Sequence, residues 1–467
     1  MKKEQVAEVA ITSYSERGHG VGSAEPGNKK VHVIGGVVGD RLEVALGKKR
    51  RRSYHATLKQ ILTPSACRVK PRCVHVGTCG GCSWQQIAYE AQVAQKERII
   101  RELFDPFLST ATLYPMIPCA SPWEYRNKME FSFSQDKSKQ CFLGLNSSHA
   151  PGKIIDLTEC HITSPWFTRV LCVVKDWWAK SKLDAYHFRH NTGSLRTLTV
   201  REAKRTTEKM IMLTVSGSHD HFLTRQQLKS FTQAVLAALP NENPSLFLRI
   251  HRVKKGTPSA FYEMHLWGPD SLREELTVHG RTFHFHISPS SFFQPNPIQA
   301  EKLFSRAFEI AGVGEKARVY DLYCGAAVGG ILFSPHVKKV IGVESNPYAV
   351  CDAQRNIEAN QVSNLSVIRG DVGEVLAELQ VRPDLALIDP PRAGIDSTAL
   401  KHLLRLAPLK ILYLSCHPLT QRENIDQLTE AGYRLCALQP VDQFPHTFHI
   451  ENIAYLERSP SDLKTGL

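Results

Sequence analysis

No stretch of this 467-residue chain approaches the roughly 18 uninterrupted apolar residues that a membrane span requires. The opening MKKEQVAEVA lacks the long apolar core of a secretory leader, and no lipidation signal or basic amphipathic helix stands out. A cytoplasmic protein with no membrane partner is therefore expected. Acidic residues are in short supply: 45 Asp and Glu stand against 58 Lys and Arg, a formal net charge of +13. Basic side chains neutralise phosphates and release counterions, so nucleic acid is the expected partner; no protein partner is evident. Twelve cysteines kept reduced in a cytoplasm favour metal ligation or catalysis over disulfides. What remains, 42% hydrophobic and 22% charged residues, describes a soluble globular chain of about three domains.

Residues 1–62 read as short alternating strands between glycine-rich turns, VAEVAITSY, KKVHVIGGVVGD, RLEVALG and SYHATLKQIL, which predicts a small β-barrel. The run KKRRR, Lys48 to Arg52, lies between two of these strands and is a candidate for phosphate contact or a solvated turn. Residues 63–285 mix helix and strand without long repeats or low-complexity tracts. WQQIAYEAQVAQKERIIRELF has apolar residues at helical spacing with a charged opposite face. In YRNKMEFSFS, Tyr125, Asn127, Met129, Phe131 and Phe133 share one strand face, and Arg126 and Lys128 the other, where they could line an RNA groove. From 286 to 467, RVYDLYCG, KKVIGVES, NLSVIRGD, PDLALIDPP and KILYLSC alternate with helix-length segments, the signature of a parallel sheet covered on both faces. YRLCALQPVD and IENIAYLER are expected to close it as an antiparallel pair.

In such a sheet, ligands bind beyond the carboxyl ends of the strands. Those ends carry Asp321–Gly325, Glu344, Asp371, Asp389 and Cys416. Glu344 follows Gly325 by 19 residues, close to the offset of a ribose-binding acid. The dinucleotide fingerprint G-x-G-x-x-G is missing, so a nucleoside cofactor without a pyrophosphate is expected, and S-adenosylmethionine is the leading candidate. Asp389-Pro-Pro-Arg resembles the turn of amino-group methylases, but Arg392 stands where those carry an aromatic, and amine methylation needs no thiol.

Cys416 suggests different chemistry. Carbon 5 of uracil is a poor nucleophile until a thiolate adds to C6 and converts the ring to an enolate; a base must afterwards remove the C5 proton. FPHTFHIE places His446, His449 and Glu451 before the last strand, and Glu451 is the candidate base. Elsewhere, RCVHVGTCGGCSW sets Cys73, Cys79 and Cys82 at C-x5-C-x2-C, with Cys160 in DLTECHI. Four thiolates around a Gly-Gly turn suit zinc or a cubane iron–sulfur cluster.

SPSSFFQPN (288–296), DLYCG, GVESNP, DPPRAG, YLSCHP and FPHTFHIE, in that order, resemble the RNA uracil-C5-methyltransferase family, in its branch with an N-terminal TRAM domain and an iron–sulfur cluster that acts on 23S rRNA. The resemblance covers nearly the whole chain. It implies a C-terminal Rossmann-like class I methyltransferase domain (286–467), an OB-like TRAM barrel (1–62) and a central α+β iron–sulfur domain (63–285). It also implies Cys416 as nucleophile and Glu451 as base. Gln294, Tyr323, Glu344, Asp371 and Asp389 would line the S-adenosylmethionine site, with Phe292 and Gln294 beside a flipped uridine. Cys73, Cys79, Cys82 and Cys160 would hold a [4Fe–4S] cluster, and Cys67 would be unligated. The implied product is 5-methyluridine in 23S rRNA; a tRNA uridine, or a non-catalytic RNA-binding protein with a degenerate cofactor loop, are the alternatives. Two departures bear on these expectations. The family's Cys-Gly-x-Gly is Cys324-Gly325-Ala326-Ala327, and its Ser-Cys-Asn-Pro is Ser415-Cys416-His417-Pro418.

Overall fold

The computed structural model describes residues 5–25, 29–50, 53–150, 152–253 and 260–458. Five strands, Val6–Tyr14, Gly20–Glu25, Lys29–Val33, Arg41–Arg50 and Ser53–Thr63, form a closed barrel in which the third and fifth run parallel. Alternation makes it: Ala7, Val9 and Ile11 turn inward with Val31, Val33, Leu42 and Val44. Five-stranded Greek-key barrels of this kind are the OB architecture. Of KKRRR, the Lys48 and Arg50 side chains and all of Arg51 and Arg52 lie outside the described residues.

A seven-stranded sheet follows, in the order Ala260–Trp267, Ser245–Arg252, Lys209–Ser216, Leu195–Glu202, Lys128–Gln135, Cys141–Asn146 and Ile154–Asp156. The helices Trp166–Ser181 and Arg225–Ala238 pack on one face, where Met129, Phe131 and Phe133 meet Trp178, Phe231 and Val235. The other face contributes Met210, Met212 and Phe247 to the core of the C-terminal half.

That half is built on an eight-stranded sheet. Its parallel part is ordered Leu365–Arg369, Lys339–Glu344, Arg318–Leu322, Leu385–Ile388 and Lys410–Ser415. Glu451–Arg458 and Tyr433–Val441 extend it as the antiparallel pair, and Thr112–Leu113 pairs on the far edge. The apolar runs are buried on both faces, as a parallel sheet demands. The hairpin Leu272–Val278 and Arg281–Ile287 shares this core, as do Ile100, Phe104 and Met116 from earlier in the chain.

The helix Tyr89–Phe104 differs from the simple amphipathic reading. Its buried face carries Gln92 and Lys96 as well as Ile100 and Phe104. Among the described residues, no helix is long and apolar enough to cross a membrane.

Candidate active site

Cys416 sits between the strand Lys410–Ser415 and the helix Pro418–Glu430. Ser415 is the last residue paired with the neighbouring strand, opposite Asn452, so Glu451 and Cys416 sit together at the carboxyl end of the parallel strands. Beneath them the buried Gln421 and Asn452 form a clamp. Gln421 Nε2 donates to Tyr413 O (2.9 Å) and Asn452 O (3.1 Å), and Asn452 Nδ2 donates back to Gln421 Oε1 (2.7 Å). The Asp389–Gly394 turn is tied to the same helix, because Asn424 Oδ1 accepts from Ile395 N (2.9 Å) and from Tyr413 Oη (2.9 Å). Gly394 has φ +81°, and a Cβ there would fall 2.5 Å from Asn424 Oδ1.

His417 is a helix cap. Its Nδ1 accepts from Thr420 N (3.3 Å) and lies 2.6 Å from Thr420 Oγ1, the work an asparagine amide would do at that position. Arg392 instead faces the thiol, with Nη2 3.4 Å from both ring nitrogens of His449.

The site is largely buried and rich in carboxylates, and its proton affinities follow from that. Burial pushes the Cys416 thiol up to about 11; Glu451 and Asp389 add to the rise, and Arg392 opposes it. Burial lifts Glu451 well above the usual carboxylate range, with Asp389 as the second cause. Asp389 itself is pushed up to about 7 by burial. His449 is lowered to about 4, first by burial and then by Arg392. A glutamate held high is a strong proton acceptor once ionised, and the cation beside the sulfur favours the thiolate.

The strand-end residues gather next to this group. Asp321 is buried, accepts from Gly330 N (2.7 Å) and is pushed up to about 7 by burial and then by Asp389 and Glu344. Glu344 accepts from Gly325 N (3.0 Å) and Asn346 N (2.7 Å), which fixes its carboxylate at the lip of the first-strand turn. Asp371 caps the helix Val372–Glu378 through Gly373 N (2.8 Å). Tyr323 has φ +63°, and its phenol lies beside Asp396 and Asp371; burial first, and then these carboxylates, raise its proton affinity. Ala327 is also left-handed at φ +61° and fully buried. Gln294 is buried and receives a bond from Gln443 Nε2 (3.3 Å), while Phe292, two residues earlier, is 65% exposed. An aspartate or glutamate ending successive strands and a turn of left-handed residues fit a nucleoside with ribose hydroxyls to be held.

The supporting groups were not foreseen. Lys96 Nζ donates to Asp442 Oδ1 (2.7 Å) and Phe444 O (3.0 Å), and Gln92 Oε1 accepts from His446 N (2.9 Å). These buried contacts hold the segment 442–449 that delivers Glu451. The visible signal was the placing of Gln92 and Lys96 on the apolar face of their helix. Arg392 was noted only as a departure at its turn, although a cation one step past Asp-Pro-Pro at a strand end was the clue to its place beside the thiol.

Farther off, Cys73, Cys79, Cys82 and Cys160 line one small cavity with Gly81, Met129 and Leu145. Gly80 N donates to Asn146 O (2.9 Å), and a Cβ on Gly80 would meet that oxygen at 2.9 Å, so the tight turn needs glycine. Burial pushes Cys73 to about 11 and Cys82 to about 12, and the neighbouring thiols add to both. Cys67 is exposed and outside the cavity lining. Among the described residues, no group of three or more His, Cys, Asp or Glu side chains is arranged to hold a metal ion.

Residues 259–459 match the family described as tRNA (Uracil-5-)-methyltransferase. A Protochlamydia amoebophila protein named an uncharacterized RNA methyltransferase is 44% identical over 433 residues, 90% of this chain and 98% of its own. A Chlamydia trachomatis protein with the same kind of name is 41% identical over 83% of this chain and 98% of its own. Among solved structures, the Pyrococcus abyssi tRNA (uracil-54, C5)-methyltransferase in complex with S-adenosyl-L-homocysteine superposes with a TM-score of 0.73 at 25% identity. That superposition covers 96% of this chain and 99% of the other.

Proposed function

Since the chain belongs to the tRNA (uracil-5-)-methyltransferase family and is an S-adenosylmethionine-dependent RNA methyltransferase, we propose that it methylates C5 of a uridine through a transient Cys416–C6 bond. The observation that carries this reading is the emergence of Cys416 and Glu451 from adjacent strands, with Arg392 at the thiol and Asp389 beside the glutamate. Cys416 releases its proton to solvent and adds to C6 as the thiolate, and the C5–C6 π electrons move to C5 and the O4 carbonyl. When bound, S-adenosylmethionine supplies an electrophilic methyl group to C5. Glu451 then takes the C5 proton, the C5–C6 double bond re-forms, and the S–C6 electron pair returns to sulfur beside Arg392. Glu344, Asp371 and Asp389 would hold the polar groups of the cofactor, with the Tyr323 phenol and Gln294 lining the same crevice. Phe292, exposed on the segment that Gln294 anchors, would stack on the extruded base.

The proposed target is 23S rRNA, on the strength of the five-stranded barrel, read as a TRAM domain, and the four-cysteine cavity in the central domain. The Pyrococcus abyssi likeness supports a tRNA uridine as a second reading. We further propose that Cys73, Cys79, Cys82 and Cys160 hold a [4Fe–4S] cluster that braces the fold. A single zinc ion needs sulfurs converging at about 2.3 Å. The four thiols line one cavity, and four cysteine sulfurs are the donor set of a cubane cluster as well as of zinc. Incubation with radiolabelled S-adenosylmethionine and unmodified total RNA tests the target: label in 23S rRNA is expected. Label confined to tRNA selects the second reading.

A further inference from the structure

On the face of the seven-stranded sheet opposite its two helices, Arg201 and Lys128 stand directly across from each other in neighbouring strands. Like charges in that relation repel and destabilise a sheet, so the pair calls for an anion. Arg201 is 1% exposed. Its Nη1 donates to Ser291 O (2.9 Å), but Nε and Nη2 find no acceptor among the described residues. The acids that attract it are engaged elsewhere: Asp352 accepts from Ser288 N, and Glu274 from Lys204 N and Arg205 N. Glu130, the acid of Lys128's own strand, is exposed and bonded by Thr199 Oγ1 (3.2 Å). Burial lowers Lys128 to about 8; Arg201, Arg249 and Arg126 push the same way, and Glu130 opposes them.

The place of this cluster matters as much as its charge. Arg201 holds Ser291, and Arg249, paired with Glu263 (2.7 Å), donates from Nη2 to Ser290 Oγ (2.8 Å); both serines lie within two residues of Phe292. At the other end Arg126 acts on His449, which touches Arg392 beside Cys416. A line of cations thus runs from the Ser290–Phe292 segment toward the thiol.

We propose that Lys128 and Arg201, flanked by Arg126 and Arg249, form a phosphate-binding site that holds the RNA backbone next to the methylated uridine. The inference rests on RNA uridine as the substrate and adds where its backbone is gripped. Lys128, only partly buried, would meet a phosphodiester oxygen, and the guanidinium buried across from it adds positive charge behind that contact. An anion there also removes the repulsion that the empty pair imposes on the sheet.

The test is binding of a short fluorescein-labelled oligouridylate to the full chain over a range of salt concentrations. Each single-strand phosphate neutralised contributes about 0.7 to the slope of log K against log[salt]. Lys128→Gln is expected to weaken binding several-fold and to lower the slope by about 0.7, while Lys128→Arg keeps both. Because Arg201 is buried and its replacement endangers folding, Lys128 carries the test. The RNA-free Lys128→Gln protein is expected to melt no lower than the parent, since a like-charge pair is relieved. Unchanged affinity, weaker binding with an unchanged slope, or failure of Lys128→Arg to restore it would overturn the assignment. So would Lys128-dependent displacement of the oligomer by inorganic phosphate at constant ionic strength, which would assign a site for the free ion. These results leave methyl transfer to uridine C5 standing; label found at another atom would remove that reading without moving the slope.

Discussion

Cys416 and Glu451 stand side by side, one step beyond the Ser415–Asn452 pair that ends the ladder between their strands, and Glu451 stays paired with Val441 on its other side. A nucleophile and a proton acceptor on adjacent strand ends can address C6 and C5 of one ring, and the Gln421–Asn452 clamp fixes their spacing. Cys416→Ser is expected to abolish turnover and to leave RNA affinity nearly unchanged, measured by methyl incorporation and by anisotropy. Full activity in that variant would exclude covalent catalysis.

Glu451→Gln separates the two halves of the reaction. Adduct formation needs the sulfur, and release needs removal of the C5 proton. The variant is expected to accumulate a denaturation-resistant protein–RNA complex while turnover falls by at least about 100-fold, the usual scale for losing a general base. Gel electrophoresis under denaturing conditions reads it directly.

With the Cys416 thiol near 11, only about one molecule in ten thousand carries the thiolate at pH 7. Alkylation of free enzyme by iodoacetamide at Cys416 is expected to rise close to tenfold per pH unit through pH 7 to 9. Arg392→Gln removes the cation that lowers the thiol and is expected to slow alkylation further. Mass spectrometry of the modified peptide follows both.

Asp321 and Asp389 are carboxylates raised to about 7 by burial, so the folded protein binds protons that the unfolded chain has released. Their contribution to stability is full below the unfolded value near 3.9 and is lost as pH rises through about 7. Asp389→Asn is expected to flatten part of that decline, as denaturant titrations between pH 5 and pH 8 would show. A steeper decline in the variant would contradict the assignment.

Much of this was legible in sequence because it is local. Alternation in Val6–Tyr14, apolar runs ending in Asp321, Glu344, Asp389 and Cys416, and the closing antiparallel pair are short-range signals. What escaped was tertiary. Lys96 falls on the same helix face as Ile100 and Phe104, but its partner Asp442 lies far along the chain. The Arg201–Lys128 opposition exists only once strands distant in sequence are in register. Ala327 shows how a departure is absorbed: a left-handed alanine costs roughly 1–2 kcal/mol, and its buried methyl returns about 0.8 kcal/mol. Ala327→Gly is therefore expected to move the melting temperature by only a few degrees, with S-adenosylhomocysteine affinity by calorimetry little changed.

Anaerobically purified protein is expected to be brown, with four irons and four sulfides per chain, and Cys160→Ser to lose the colour. Colourless protein containing zinc would remove the cluster.

The most direct measurement is trapping with a 5-fluorouridine-substituted transcript, in which fluorine at C5 leaves Glu451 no proton to take. A stable adduct mapped by peptide sequencing to Cys416 is the expected result. An adduct on another residue, or none from enzyme that methylates the unsubstituted transcript, would contradict the covalent mechanism.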